Sequence, residues 1–252
     1  MRVAAILLAA SHAAAGTIDD GVPDAKYLEY ARGFAPYTAK LEARIGEGRV
    51  QFASAVLISD RWAMTAAHVV DCVEGVTLIS GSTRHRIDEV FVHDGFDEST
   101  PGKFDIALLR SADSFGLSFY PPLATRSHDA GSVVSIAGHG ITGLLSAGHD
   151  RSDGLLRAGT NRIARREGQM LVCDIRRGSS PMEICIAPGD SGGPVFCGGE
   201  LVGINSLTMR AKGPLRSREG EESGHTDVFE FVPWIEGLIG PQPTEGVTDV
   251  DP

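Results

Sequence analysis

The 252-residue chain is expected to be all-β, a sandwich or barrels, because short apolar or β-branched runs recur between turn signals along most of its length. The 31 glycines and an aromatic share of only 6% agree, since they favour a turn-rich architecture over a helical one. Two barrels in one continuous unit would account for a length that is long for one average domain and short for two.

The chain opens with Met1-Arg2, an apolar run from Val3 to Ala10, and Ala13-Ala14-Ala15 before Gly16. A charged start, a short apolar core and small residues at the cut form the pattern of a secretory leader, residues 1–15, removed after Ala15. A buried N-terminal strand is the other reading, and the polar, turn-like segment that follows speaks against it. No later run approaches the roughly 20 apolar residues of a membrane span. The mature chain is therefore expected to be soluble and exported, extracellular or periplasmic.

Residues 16–49 read as an N-terminal strap or propeptide, with Asp24 placed to cap a short helix through Ala31. The strands follow within 50–239: Phe52–Ile58, Trp62–Ala66, Val76–Ser80, Ile87–Val92, Ile106–Leu109, Val133–Ala137, Leu155–Asn161, Met170–Cys173, Pro194–Cys197, Leu201–Ser206 and Thr226–Phe231. The polar, glycine-punctuated stretch from Thr208 to Gly224 reads as a long surface loop. Val232–Ile239 reads as a short closing helix, with Pro233 tolerated in its first turn. Residues 240–252, rich in Pro, Gly, Thr and Asp, read as a flexible tail.

A net charge of −10, one unit more negative once Arg2 leaves with the leader, disfavours nucleic acid and anionic membrane surfaces as partners. The cysteines, Cys72, Cys173, Cys185 and Cys197, contain no C-x-x-C pair, and the histidines lack metal-ligand spacing, so neither zinc nor another cofactor is expected.

The stretch Ala187–Pro194, APGDSGGP, sets Ser191 among glycines beside a carboxylate. A serine hydroxyl needs a base within hydrogen-bond reach, itself oriented by a third group. His68 in WAMTAAHVVDC follows a strand of small residues, where a tight turn can fix an imidazole. Asp105 in KFDIALLR precedes an apolar strand that would hold a carboxylate at the edge of a core.

With these pieces the sequence resembles the chymotrypsin/trypsin family of serine endopeptidases. TAAH at Thr65–His68, DIALL at Asp105–Leu109 and GDSGGP at Gly189–Pro194 match its three signatures in its order. GHG at Gly138–Gly140, LVGINS at Leu201–Ser206 and WI at Trp234-Ile235 are weaker matches. The resemblance implies two six-stranded antiparallel β-barrels with a cleft between them. It also implies His68 as base, Asp105 as its orienter and Ser191 as nucleophile. The amides of Gly189 and Ser191 would form the oxyanion hole, and Ser206 would bond near Asp105. A polypeptide substrate and proteinaceous inhibitors are the implied partners.

Where the family pocket lies, Cys185, or Glu183 with a shift, replaces the usual base residue. Ser206, Leu207 and Thr208 would line the wall, with Thr208 narrowing it, and Asn205 and His225 are further candidates to face it. A charged His225 would favour an acidic side chain, but the reading leans to a small or apolar P1 residue. The resemblance favours a Cys173–Cys185 disulfide and leaves Cys72 and Cys197 unassigned. Family zymogens are cut after a basic residue to free an amine for the carboxylate beside the nucleophile, here Asp190, yet no such cut precedes the first strand. Leader cleavage or a further trimming would supply the amine, or Asp190 has another partner.

Two rivals stand beside this reading. Gly189-x-Ser191-x-Gly193 also fits the nucleophile elbow of α/β-hydrolases, but Pro194 opposes the required helix and no Asp lies between Ser191 and His225. A catalytically inactive homologue acting as a secreted binding protein is the other.

Overall fold

The structure, a computed structural model, describes residues 16–210 and 213–241. The expected leader and residues 242–252 of the expected tail lie outside the described residues. Strands are numbered along the chain. β2 (Thr38–Arg44), β3 (Val50–Leu57), β4 (Trp62–Thr65), β5 (Gly75–Ser80), β6 (Thr83–Val92) and β7 (Ala107–Ser111) close one antiparallel barrel in the order β2-β3-β4-β7-β6-β5. β8 (Val133–Gly138), β11 (Arg157–Glu167), β12 (Met170–Asp174), β14 (Pro194–Cys197), β15 (Glu200–Met209) and β16 (Glu222–Asp227) close the other, in the order β11-β12-β16-β15-β14-β8. Closure removes the exposed edges that open sheets must protect.

The first barrel is filled by small and branched side chains: Ala39, Leu41 and Ala43 from β2 meet Leu57, Leu78, Leu108 and Leu109 in one apolar cluster. β2 lies inside the stretch read as a strap. Its sequence TAKLEAR alternates buried residues with half-buried Lys40 and Glu42, a two-residue period that fits a strand buried on one face. It pairs with β3 from Thr38↔Val56 to Arg44↔Val50, so Arg44 and Arg49 belong to one hairpin of the barrel.

A smaller sheet, in the order β10-β9-β1-β13, joins β1 (Thr17–Ile18), β9 (Thr142–Leu144), β10 (Gly148–Arg151) and β13 (Ile184–Cys185). β1 runs parallel to β9 and antiparallel to β13, inserting the start of the described chain beside the second barrel. Pairs this short carry little sequence signal. The expected strand Thr226–Phe231 sits earlier, as β16, because Asp227 accepts a hydrogen bond from the Phe229 amide at 3.2 Å and turns Val228–Phe231 into a 3-10 segment. This segment leads into the closing helix, which spans Val232–Ile239 as expected, with Pro233 in its first turn.

The expected loop is shorter, since strands reach Met209 and resume at Glu222, and it is not wholly at the surface. Glu221 is 1% exposed and accepts the Arg216 and Ser217 amides. No disulfide joins the cysteines. Cys173 lies on β12 and Cys185 on β13, in different sheets, and burial pushes both thiols well above their ordinary range.

Asp24 does not cap the helix Asp24–Tyr30 but is its first residue, behind Pro23. Its carboxylate accepts Arg157 Nε and Nη2 at 2.7 and 2.8 Å, and Asp153 accepts Nη1 and Nη2 of the same guanidinium at 3.0 and 2.7 Å. Arg157 is fully buried, so these two carboxylates compensate a charge that would otherwise stand alone. Replacing both, as Asp24→Asn with Asp153→Asn, is expected to cost about 3 kcal/mol by chemical denaturation, and more than Arg157→Met. The bonds to Arg157 hold both carboxyls below their ordinary 3.8. Their contribution is therefore complete above about pH 3.8 and is lost as pH falls through the lowered values. The double variant should lack that part of the acid-induced loss.

Candidate active site

The site lies on the seam between the barrels, and each of its central side chains hangs at the end of a strand. β4 delivers the chain into the turn Ala67–Val70, which carries His68. Asp105 stands just ahead of β7, and Ser191 just ahead of β14. The Asp105 carboxylate is 2% exposed. It accepts the His68 amide at 3.0 Å through Oδ1 and pairs with the His68 ring Nδ1 at 2.8 Å through Oδ2. Ser206 donates its hydroxyl to the same Oδ2 at 2.5 Å, and Thr226 donates to the Asp105 carbonyl at 2.8 Å. β15 and β16 of the second barrel thus grip a carboxylate of the first. Burial pushes the Asp105 carboxyl up, but the charge and hydrogen bonds of His68, with the Ser206 bond, outweigh it and hold the group below its ordinary value. An ionised carboxylate on Nδ1 fixes the tautomer in which Nε2 carries the lone pair.

Ser191 Oγ rests 3.5 Å from the Ser206 carbonyl, and among the described residues no hydrogen bond joins it to His68. The turn around it is tied on its rear side. The Pro188 carbonyl accepts the Ile141 amide at 2.8 Å. The Asp190 carbonyl accepts the Gly193 amide at 2.9 Å and Asn205 Nδ2 at 3.2 Å. A trans peptide points its N–H opposite its C=O, so these bonds turn the Gly189 and Ser191 N–H groups the other way, toward the seam. Among the described residues neither N–H has an acceptor, whereas the amides of Asp190, Gly192 and Gly193 are all taken. Gly189 itself sits at φ +97°, a conformation L side chains rarely adopt, and its carbonyl is held by Ser54 Oγ at 2.9 Å.

Behind this turn the Asp190 carboxylate, 2% exposed, accepts three backbone amides: Gly140 at 2.7 Å, Ala187 at 2.8 Å and Gly16 at 2.8 Å. Burial pushes its carboxyl up to about 7 against these bonds and the field of Arg157.

The expected pocket residues divide. Leu207 and Thr208 are half-buried beside Ser206, where a neighbouring side chain could be met. Cys185 is buried on β13, its thiol directed at the Ile186 carbonyl. Asn205 and His225 are fully buried and bonded to each other, His225 Nδ1 to Asn205 Oδ1 at 3.0 Å. Since Asn205 Nδ2 donates to the Ala137 and Asp190 carbonyls, its Oδ1 must accept, and His225 carries its proton on Nδ1. Burial pushes the His225 pKa down to about 3. The charged His225 that would attract an acidic side chain is thus replaced by a neutral ring bracing Asn205 from behind. Glu183, the shifted alternative, is fully buried and bonded to the Ser179 and Ser180 hydroxyls.

Sequence reasoning missed Ser54, which holds the turn from across the seam, and Ile141, which holds it from the segment between β8 and β9. A lone hydroxyl in the apolar run FASAVL was the available signal for Ser54. Ile141 acts through its backbone and leaves none.

Comparison with known proteins bears on the family and the fold. A family model described as Trypsin matches residues 27–235. Trypsin I-P1 of Gallus gallus is 30% identical over 225 residues, covering 81% of this chain and 84% of its own length. Serine protease SP24D of Anopheles gambiae is 29% identical over 71% of this chain and 69% of its own. Among solved structures, neuropsin, a serine protease of mouse brain, superposes with a TM-score of 0.66 at 21% identity, over 81% of this chain and 95% of its own. HL collagenase gives 0.67 at 20% identity, over 84% and 96%. These two similarities concern the fold.

His225 also makes a prediction. The unfolded chain takes up a proton on this ring near pH 6.5, while the folded one resists until about 3. Folding stability should therefore be complete above pH 6.5 and fall by one proton's slope as pH drops toward 3. Denaturation midpoints across that range should show a slope shallower by one proton in His225→Gln.

Proposed function

Because this chain belongs to the trypsin family of serine proteases, we propose that it is an exported serine endopeptidase that cuts peptide bonds through an acyl-enzyme on Ser191. The observation that carries the reading is the pair of unfilled N–H groups on Gly189 and Ser191, aimed at the seam beside an imidazole whose Nδ1 is held by a buried carboxylate.

The reaction requires the Ser191 hydroxyl to leave the Ser206 carbonyl and donate to His68 instead. His68 Nε2 takes the hydroxyl proton as Oγ attacks the substrate carbonyl carbon, and Asp105 stabilises the imidazolium that forms. The developing oxyanion accepts from the Gly189 and Ser191 N–H groups, which need no reorganisation because their peptides are tied from behind. His68 then gives its proton to the leaving amine. Water, activated by the same ring, hydrolyses the ester and restores Ser191. No step calls for a metal or organic cofactor. Export is supported by the leader-like sequence of residues 1–15, and a small or apolar P1 residue by Thr208 beside Ser206 and the neutral His225. Proteinaceous inhibitors would occupy the same seam.

A peptide library read by mass spectrometry tests the reading. Cuts should follow small or apolar residues and vanish in Ser191→Ala. Asp105→Asn should lower kcat about 10⁴-fold by releasing the His68 tautomer. Thr208→Gly should admit larger P1 side chains without lowering turnover of small ones. If the wild-type chain neither cuts nor reacts with an organophosphorus probe while Ser191 is intact, the chain is an inactive binding homologue.

A further inference from the structure

Ser191 lies between two strands. β15 reaches it through the Ser206 carbonyl, 3.5 Å from Oγ, and β3 through the Ser54 amide, which donates to the Ser191 carbonyl at 2.9 Å. A P1 side chain directed at Thr208 sets the acyl half of a substrate along β15, so the half that leaves as the amine passes the β2–β3 hairpin. On that side the register places Lys40 directly across from Ser54, with Phe52 the next residue of β3 on the same face. Lys40 Nζ sits 4.3 Å from the centre of the Phe52 ring, a cation held over an aromatic face.

This ammonium lacks a carboxylate. Lys40 makes no ion pair among the described residues, and Glu42, the next residue of β2 on its face, is bound to Arg84 at 2.5 Å. Across the seam stands His139, whose amide donates to Ser54 Oγ at 2.9 Å and whose ring Nδ1 is buried without a hydrogen-bond partner among the described residues. Burial pushes the His139 pKa down to about 4, and the charge of Lys40 acts in the same direction, so above that pH the ring is neutral and adds no second charge. Lys40 and Phe52 are both half-buried, so the cation is fixed in place and still open to a charge that arrives with a ligand.

We propose that Lys40 is a specificity-determining residue for the leaving half of the substrate: its ammonium, seated on Phe52, pairs with a carboxylate carried within two residues beyond the scissile bond. Paired strands lie about 4.8 Å apart and an extended chain advances about 3.3 Å per residue, so two residues take a substrate from Ser54 to Lys40. The carboxylate is that of an Asp or Glu side chain, or the C-terminal group of a short leaving peptide. Lys40 touches no reacting atom. The net charge of −10 repels acidic peptides wherever they bind, so an acid preference confined to one side of the cut marks a local cation. This inference rests on the reading of Ser191 as the nucleophile.

Internally quenched peptides sharing one P1 residue test it. They carry Asn or Asp, and Gln or Glu, at each of the three positions after the cut, and a second set ends there in a free or an amidated carboxyl. At one of the first two positions the acidic peptide should be cut with a kcat/KM about 5-fold above its amide counterpart, and at the third position the two should be equal. A preference seen with the free carboxyl alone identifies the C-terminal group as the source. The ratio should shrink at high ionic strength, fall to about 1 in Lys40→Met, persist in Lys40→Arg and invert in Lys40→Glu. The last two variants carry the test if Lys40→Met does not fold. Fluorescence anisotropy of the same peptides on Ser191→Ala, with and without Lys40→Met, repeats the comparison without chemistry. Equal cutting of acidic and amide peptides, or an acid preference that survives Lys40→Met, would overturn the role of Lys40 while leaving the protease intact. An acid preference in binding that disappears with Lys40, when the wild-type chain cuts nothing, would keep the carboxylate site and overturn the catalytic reading. Neither cutting nor an acid preference in binding would overturn both.

Discussion

The Asp190 carboxylate, taken out of water at the base of the nucleophile turn, is the constraint from which the geometry of the site follows. It must be satisfied where it lies, and the groups that satisfy it come from three separate places: Gly16 at the start of the described chain, Gly140 after β8, and Ala187 in its own turn. Binding all three fixes the turn against the small sheet and the second barrel at once. The Ile141 amide, beside Gly140, then reaches the Pro188 carbonyl, and Asn205 reaches the Asp190 carbonyl. The direction of two N–H groups is thus set by hydrogen bonds on their far side, where no substrate competes.

The seam between the barrels supplies the remainder by the same logic. Neither barrel holds a complete site. The first carries His68 and Asp105, yet Asp105 is gripped by Ser206 and Thr226 of the second. The second carries Ser191, yet its turn is held by Ser54, whose hydroxyl meets the Gly189 carbonyl and whose amide donates to the Ser191 carbonyl at 2.9 Å. These buried polar bonds need both barrels in register, which ties the alignment of the reactive groups to the packing of the whole chain.

Legibility in the sequence followed the physics of each feature. Strands buried on one face announce themselves through apolar runs, and nearly all the expected ones lie on barrel strands. β2 was overlooked because its inward residues are mostly alanine, and β16 was misplaced because its sequence ESGHTD is polar although its interior residues are buried. His68, Asp105 and Ser191 were readable because their local patterns are distinctive and occur in a known order. The roles of Asn205 and His225 were not readable. A polar residue on a strand can face a pocket or a barrel interior, and only the fold decides; here they brace the turn. Gly16 was visible as a cleavage point but not as a donor to Asp190, since that contact spans 174 residues of chain.

The most direct test of the central claim is a crystal structure of the chain beginning at Gly16 with a peptide boronic acid bonded to Ser191. The account predicts one boronate oxygen within hydrogen-bond distance of both the Gly189 and Ser191 amides, with the Pro188 carbonyl still on the Ile141 amide and the Gly16 N–H still on Asp190. A reversed Pro188–Gly189 peptide, or a boronate oxygen held elsewhere while Asp190 keeps its three donors, would contradict it.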